Sequence, residues 1–306
     1  MPHPGVVTSV LELIGATPMV ELRRLRHPGE GTVFAKLEFL NPGGSVKDRI
    51  ALAMVEAAER DGRLQPSSTI VEPTAGNTGV GLALIGRLRG YPVVLVVPEG
   101  FAREKVEVMK VLGARVVRTP ADDGMQGAIR EAERITRETP GAFCPQQFEN
   151  PANPEMHYRT TAREIWEQMG ARLDAICIGA GSGGTFSGVA RYVRERDPKC
   201  RMVLVEPQGS VFGGGPAGRH KVEGIGNSFV PATLDRSLAD EIMMVEDGPS
   251  FAMVRRLAAE EGILAGGSAG CATEAAVRQA RRLGEGARVV TVIPDGFERN
   301  LSKWEV

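Results

Sequence analysis

Six apolar runs, STIVEP, YPVVLVVPE, ARVVRTP, DAICIGA, RMVLVEP and RVVTVIPD, recur along the chain, with helically spaced segments between most of them. Runs so rich in Val and Ile do not suit a sheet with one face in water, because a half-exposed strand alternates polar with apolar positions. The pattern therefore predicts an α/β fold in which mostly parallel strands are covered by helices on both faces. Two short strand candidates, TPMVEL and TVFAKLEFL, come first. Helices are expected from Lys47 to about Gly62, Asn77 to Arg89, Arg103 to Leu112, Met125 to Arg137, Thr160 to Met169, Thr185 to Arg196, Ser250 to Glu261 and Ala269 to Arg282. The proline- and asparagine-rich stretch QFENPANPEMHY reads as a loop and a lobe boundary. Gly209 to Ser228 is rich in glycine and reads as an irregular functional loop.

The 306 residues suffice for two α/β lobes. A net charge of −1 with no block of Lys or Arg leaves no electrostatic footprint for nucleic acid or an anionic membrane. No signal-peptide pattern opens the chain and no stretch is long and apolar enough to span a bilayer, so a cytoplasmic protein is expected, its partners small molecules and copies of itself. The four cysteines, Cys144, Cys177, Cys200 and Cys271, form no C-x-x-C pair, which fits a reducing compartment and no metal site. Cys177, inside DAICIGA, is expected to be a small buried hydrophobe.

One lysine stands where stability would not put it. In NPGGSVKDR, Ser45 reads as an N-cap and Asp48 as its capping-box partner, ahead of the apolar face Val46, Ile50, Met54 and Ala57. Lys47 then lies in the first helical turn, where the helix dipole disfavours the ammonium and eases its deprotonation. A readily neutral lysine can attack carbonyls and form a Schiff base. The same stretch would also suit a capped surface helix carrying a solvated lysine.

Three glycine loops precede helices. EPTAGNTGVG offers backbone N–H groups and the short polar residues Thr74, Asn77 and Thr78 to a carboxylate, though it would also serve as an ordinary βα turn. GAGSGGT fits G-x-G-x-x-G, and Glu206 follows 22 residues past Gly184, so a nicotinamide-dependent dehydrogenase is a serious rival. Its five short residues with two hydroxyls, Gly181 to Thr185, suit a terminal phosphate equally. AGGSAG carries Ser268, which alone reads as a plain N-cap.

An aldehyde for Lys47, a phosphate for GSGGT and a ring between them are the three parts of pyridoxal phosphate. Through ELIGATPMVEL, GGSVKDR, EPTAGNTG, GSGGT, KVEGIG, GGSAG and IPD, the chain resembles the cysteine synthase and cystathionine β-synthase group of fold-type II pyridoxal-phosphate enzymes. The resemblance implies two lobes, each with a mostly parallel twisted sheet, and a cofactor in the cleft between them. Residues 1–39 and 150–306 would form the large lobe, and 40–149 a smaller mobile lobe that binds substrate. It implies that Lys47 holds the cofactor as a Schiff base and moves the Cα proton, that Asn77 bonds the ring hydroxyl and that Ser268 meets the pyridine nitrogen. Gly181, Ser182, Gly183, Gly184 and Thr185 would hold the phosphate. Thr74, Ala75, Gly76, Thr78 and Gln147, with Gly224 of KVEGIG, would receive the substrate. Many members carry Ser where this chain has Ala75, so one hydroxyl contact is missing.

The implied reaction is β-replacement on O-acetyl-L-serine by sulfide or homocysteine, giving cysteine or cystathionine. A serine/threonine dehydratase of the same fold is the alternative within the family. TAGNTG, PEGFAREK, DDGMQGAI and VEPQGS look most like bacterial O-acetylserine-dependent cystathionine β-synthases, whose catalytic region this chain barely exceeds, so no regulatory module is expected. Glu223 would repel a phosphorylated donor, an argument weakened by nearby His220 and Lys221. A homodimer is implied, and a serine acetyltransferase partner is left open.

Overall fold

The computed structural model describes residues 5–74 and 76–303. Ala75 lies outside them, and with it the missing-hydroxyl expectation. In chain order the elements are β1 (Met19–Glu21), β2 (Thr32–Leu37), α1 (Lys47–Arg60), β3 (Ile70–Pro73), α2 (Asn77–Arg89), β4 (Val93–Pro98), α3 (Arg103–Val111), β5 (Arg115–Thr119) and α4 (Gly124–Glu138). They continue as α5 (Ala152–Arg159), α6 (Thr161–Gln168), β6 (Ala175–Gly179), α7 (Gly184–Arg194), β7 (Arg201–Pro207), β8 (Glu241–Val245), α8 (Asp247–Glu261), α9 (Gly267–Leu283) and β9 (Arg288–Ile293). Two sheets result. A six-stranded sheet runs β1-β2-β9-β6-β7-β8 and a three-stranded one β3-β4-β5. Among the described residues, every pairing of these strands is parallel except the short β1 against β2.

The period of two along each strand explains why the runs are apolar throughout. In β4, Val93, Leu95 and Val97 face a core shared with Val55 of α1 and Leu82 and Ile85 of α2, while Val94 and Val96 face Ala128, Ala132 and Ile135 of α4. In the larger sheet, Val203 and Val205 pack with Leu257 of α8 and Ala275 of α9, and Met202 and Leu204 with Ile165 of α6 and Phe186 of α7. Both faces of the central strands are covered, as the sequence predicts, whereas β5, in the run ARVVRTP, is an edge strand covered only in part.

Two elements depart from expectation. The Pro/Asn-rich stretch contains α5, started at Pro151 by Asn150, whose Oδ1 accepts the Ala152 N–H at 3.0 Å. It packs on α7 where Gly188 leaves room: a Cβ there would lie 2.3 Å from the Pro154 carbonyl oxygen. Strand β8 is a half-exposed edge whose mixed burial hid it. The Gly209 to Ser228 segment is irregular, as predicted.

A buried charge cluster lies where α1 meets β2 and α6. Arg49 donates to Glu38 at 2.7 and 2.8 Å and to Glu164 at 2.7 and 2.8 Å, and Lys36 Nζ lies 2.7 Å from Glu164. Burial alone would raise the Glu38 carboxyl, but the Arg49 guanidinium overrides it and holds it down to about 2. Two cations and two carboxylates thus fasten α1 to β2 and α6, two residues beyond Lys47.

Candidate active site

The C-terminal ends of the strands, with the helix starts that follow them, open onto one cleft of about 770 Å³. This is where an open parallel sheet gathers its ligands. Lys47 enters it as the first residue of α1, half-buried. Its turn is pinned to the large sheet, with Val46 donating to the Pro294 carbonyl at 2.8 Å. The capping box expected there does not form. Ser45 Oγ accepts the Lys47 N–H at 3.2 Å, but Val46 occupies the N-cap position and the Asp48 carboxylate turns to the Gly43 N–H at 2.5 Å. Burial pushes the Asp48 carboxyl up to about 7.

The Lys47 amine is easier to deprotonate than an ordinary lysine, as expected, though the main cause is burial; Asp295 opposes the shift and Lys105 adds to it. Asp295, 2% exposed at the end of IPD, is a site residue that sequence reasoning passed over. Its Oδ2 accepts from Asn77 Nδ2 at 2.7 Å, while its Oδ1 and Asn77 Oδ1 are buried without a partner among the described residues.

The turn ahead of α2 lies on the same cleft, and Thr74, Gly76, Asn77 and Thr78 all line it. Thr74 Oγ1 accepts the N–H groups of Gly76 and Gly79 at 3.0 and 3.2 Å, which holds the turn open-ended. Thr78 donates its hydroxyl proton to Gln147 Oε1 at 2.6 Å. Gln147 Nε2 in turn donates to the Pro73 carbonyl at 3.4 Å, which orients the amide and leaves its second N–H to give. Gln147 is itself held by Glu72, a buried carboxylate that accepts its N–H at 3.0 Å and that of Gln146 at 2.8 Å. Gln146 carries a left-handed φ of 56°, a strain those bonds maintain. A lone Glu in the apolar strand STIVEP was the signal for this residue.

The GSGGT loop faces the turn across the cleft. Gly181, Ser182 and Gly224 line the cleft, and Gly183 and Thr185 line an adjoining chamber of about 20 Å³ that also reaches Lys47. Gly184 opens α7 beneath them, so the loop's N–H groups and the helix dipole converge on one point. Gly183, at φ 89°, occupies left-handed backbone that only glycine adopts cheaply. Both hydroxyls are braced from α5: Asn153 Nδ2 lies 3.0 Å from Ser182 Oγ, and His157 Nε2 3.1 Å from Thr185 Oγ1. Burial drives the His157 pKa down to about 3, so the ring is neutral at physiological pH.

Ser268 is not an N-cap. Gly266 holds that position, and Ser268 is buried in the first turn of α9, where its Oγ lies 3.8 Å from a Cβ built on Gly224. It lines neither cavity but sits directly behind the cleft wall. Glu206, the acid the dehydrogenase rival requires, is spent elsewhere: its two oxygens accept the N–H groups of Phe212 and Gly213 at 2.9 Å each. Cys177 is fully buried, as predicted.

Comparison with known proteins agrees with this geometry. Residues 10–295 match the family model described as pyridoxal-phosphate dependent enzyme. The chain is 47% identical to a cysteine synthase of Staphylococcus aureus, over 97% of this chain and 96% of that protein. It is 44% identical to an O-acetylserine dependent cystathionine β-synthase of Bacillus subtilis, over 97% of each. The crystal structure of O-acetylserine dependent cystathionine β-synthase from Helicobacter pylori superimposes with a TM-score of 0.94 at 42% identity, covering 98% of this chain and 99% of that one.

Proposed function

The chain belongs to the pyridoxal-phosphate dependent enzyme family, with the fold-type II architecture and pyridoxal phosphate as its cofactor, and on that premise we propose that it catalyses β-replacement on O-acetyl-L-serine by a sulfur nucleophile. Sulfide would give L-cysteine and homocysteine would give L-cystathionine, with acetate released in either case. The observation that carries the reading is the convergence in one cleft of a lysine of lowered pKa, a phosphate-sized cradle and a turn built for a carboxylate. The names of the Staphylococcus aureus and Bacillus subtilis relatives support the donor and the sulfur chemistry.

The residues present fit the cofactor: the amine suits an aldehyde, the GSGGT loop a phosphate, and the orphaned oxygens of Asn77 and Asp295 a polar ring edge. Bound there, pyridoxal phosphate supplies an aldehyde that traps amines and a ring that withdraws electrons from the substrate Cα. Lys47 Nζ would hold the aldehyde, yield it to the incoming amino group and then take the Cα proton. One neutral amine serves as nucleophile and as base, and its lowered pKa favours both. Acetate would leave Cβ with its bonding electrons, the thiolate sulfur would add there, and Lys47 would return the proton to Cα. Thr74, Gly76, Thr78 and Gln147 would bind the substrate carboxylate, with Gly224 on the opposite wall. Asn77 would bond the ring hydroxyl. Ser268 would offer the ring nitrogen a neutral hydroxyl, which leaves that nitrogen unprotonated and favours prompt loss of a leaving group.

Residues 40–149 would close on the rest as a unit, excluding water once the carboxylate is bound. The same reading extends to a cytoplasmic homodimer acting in cysteine biosynthesis or transsulfuration, with a serine acetyltransferase as candidate partner. The test is visible absorption: O-acetylserine should shift the cofactor band, and sulfide or homocysteine should restore it. A band unmoved by O-acetylserine would count against the donor, and one that returns without added nucleophile would point to elimination instead.

A further inference from the structure

We infer that Asn153, in α5, is a positioning residue that joins the phosphate cradle to the Gln147 turn and aims the Ser182 hydroxyl proton at the bound phosphate. The inference deepens the reading above, since it takes Gly181 to Thr185 as the phosphate site. Asn153 is fully buried, and its Nδ2 donates to the Gln147 carbonyl oxygen at 2.8 Å as well as to Ser182 Oγ at 3.0 Å. The assignment of nitrogen and oxygen in this amide follows from its neighbours. A backbone carbonyl can only accept, so the nitrogen must face Gln147. Ser182 Oγ is then an acceptor from the same nitrogen. A hydroxyl that accepts on one side has its own proton to give on another. Ser182 lines the cleft, so an anion there can receive that proton.

The backbone is shaped around this contact. Asn153 Oδ1 is buried without a partner among the described residues, and a Cβ built on Gly184 would lie 1.9 Å from it. Any side chain at 184 would drive the amide away from Ser182. Glycine at that position therefore makes room for Asn153, not for the anion alone.

The other end of the amide reaches the substrate side. Gln147 is held through its N–H by Glu72 and through its side-chain oxygen by Thr78, and Asn153 holds its carbonyl. A displacement of Ser182 by the phosphate reaches Gln147 through a single rigid amide. Binding at the two sites is then coupled, and the coupling is reciprocal.

The test uses the full chain freed of cofactor by hydroxylamine, which takes the aldehyde from Lys47, followed by dialysis. Binding of pyridoxal phosphate, and of pyridoxal as a probe without phosphate, is measured by fluorescence for wild type, Asn153→Asp and Asn153→Ala. Asn153→Asp keeps the shape but turns acceptors toward Gln147 and Ser182, so it should weaken pyridoxal phosphate about tenfold or more and leave pyridoxal unchanged. Asn153→Ala should weaken it a few-fold, again without touching pyridoxal. Equal loss of both ligands, or no loss, overturns the inference. Equal binding of the two probes by wild type would instead overturn the phosphate assignment itself. Phosphorus NMR of the loaded enzyme reads the coupling: L-alanine should move the bound phosphate resonance in wild type and leave it in place in Asn153→Ala. A shift that persists in that variant, or is missing from wild type, removes the link. Should Asn153→Asp not fold, the alanine variant and the resonance still decide.

Discussion

Lys105 Nζ lies 3.1 Å from Glu223 Oε2, so an ion pair bridges the cleft from α3 to the loop that carries Gly224. The same ammonium donates to Asn300 Oδ1 at 2.9 Å, within the C-terminal 3₁₀ segment Phe297–Lys303. Lys105 also covers the substrate turn, since a Cβ on Gly76 would lie 2.3 Å from its Cδ. Sequence alone reads Glu223 as a carboxylate that repels a phosphorylated donor; the structure gives that charge a partner.

Donor preference should therefore depend on the pair. Glu223→Gln would leave the Lys105 charge uncompensated in the cleft. The ratio of kcat/KM for O-phosphoserine to that for O-acetylserine should rise about fivefold, the effect of roughly 1 kcal/mol from one partly screened pair. Glu223→Arg should raise it further. An unchanged ratio in both variants would mean that the pair only fastens the loop.

Arg49 carries the second prediction. Arg49→Met would strand Glu38 and Glu164 with Lys36 as their remaining cation, all of them buried. Leaving a buried charge without its partner costs about 3–5 kcal/mol. Urea unfolding should show a loss of that size, whereas a loss under about 1 kcal/mol would mean that Lys36 and water suffice. Since Arg49 lies two residues from Lys47 in α1, the variant should also broaden the cofactor's visible band.

Replacement of Lys47 tests the centre of the site. Lys47→Ala should remove the visible band that the lysine creates and lower turnover about 10³-fold or more, because nucleophile and base are lost together. Lys47→Arg should do the same although it keeps the charge. Retained colour and turnover in either would move the reaction to another residue. Ser268→Ala should lower turnover, and Ser268→Asp should displace the visible band by holding the ring nitrogen protonated. Identical spectra and rates in both would mean that Ser268 does not meet the ring.

How far the sequence can be read depends on the range of the interactions involved. Val/Ile runs report strands because burial on both faces is a local property of composition, and most helix ends fall within three residues of expectation. The glycine loops report the cleft because their function lies in backbone shape. Ser268 taken alone reads as a cap because one hydroxyl cannot disclose that the cap lies two residues earlier, at Gly266. Asn153, His157, Glu72 and Lys105 escaped notice because each acts on a partner more than 25 residues away or on a loop whose path is not local. α5 was hidden by its Pro and Asn, residues that favour turns unless a packing partner such as Gly188 overrides them.

Glu72 makes the last prediction, on pH. Burial raises its carboxyl to about 7, against the lowering by the N–H groups of Gln147 and Gln146. In the unfolded chain it titrates near 4.5. Between those values the folded protein binds a proton that the unfolded chain does not, so stability falls as pH rises through the window and is fully present below it. The contribution is at most about 3 kcal/mol. Asp48 titrates in the same range, so the informative quantity is the difference between wild type and Glu72→Gln in urea unfolding at pH 5 to 8. The variant should lose about 1 kcal/mol at low pH, because its NH₂ replaces one of the two oxygens that accept the Gln146 and Gln147 N–H groups, and should lack this share of the decline. Substrate binding should move the opposite way. The ionised carboxylate grips the two N–H groups more strongly, so KM for O-acetylserine should fall in wild type as pH rises through 7 and stay flat in Glu72→Gln. Parallel KM profiles would mean that the Gln147 turn holds its shape whatever the charge beneath it.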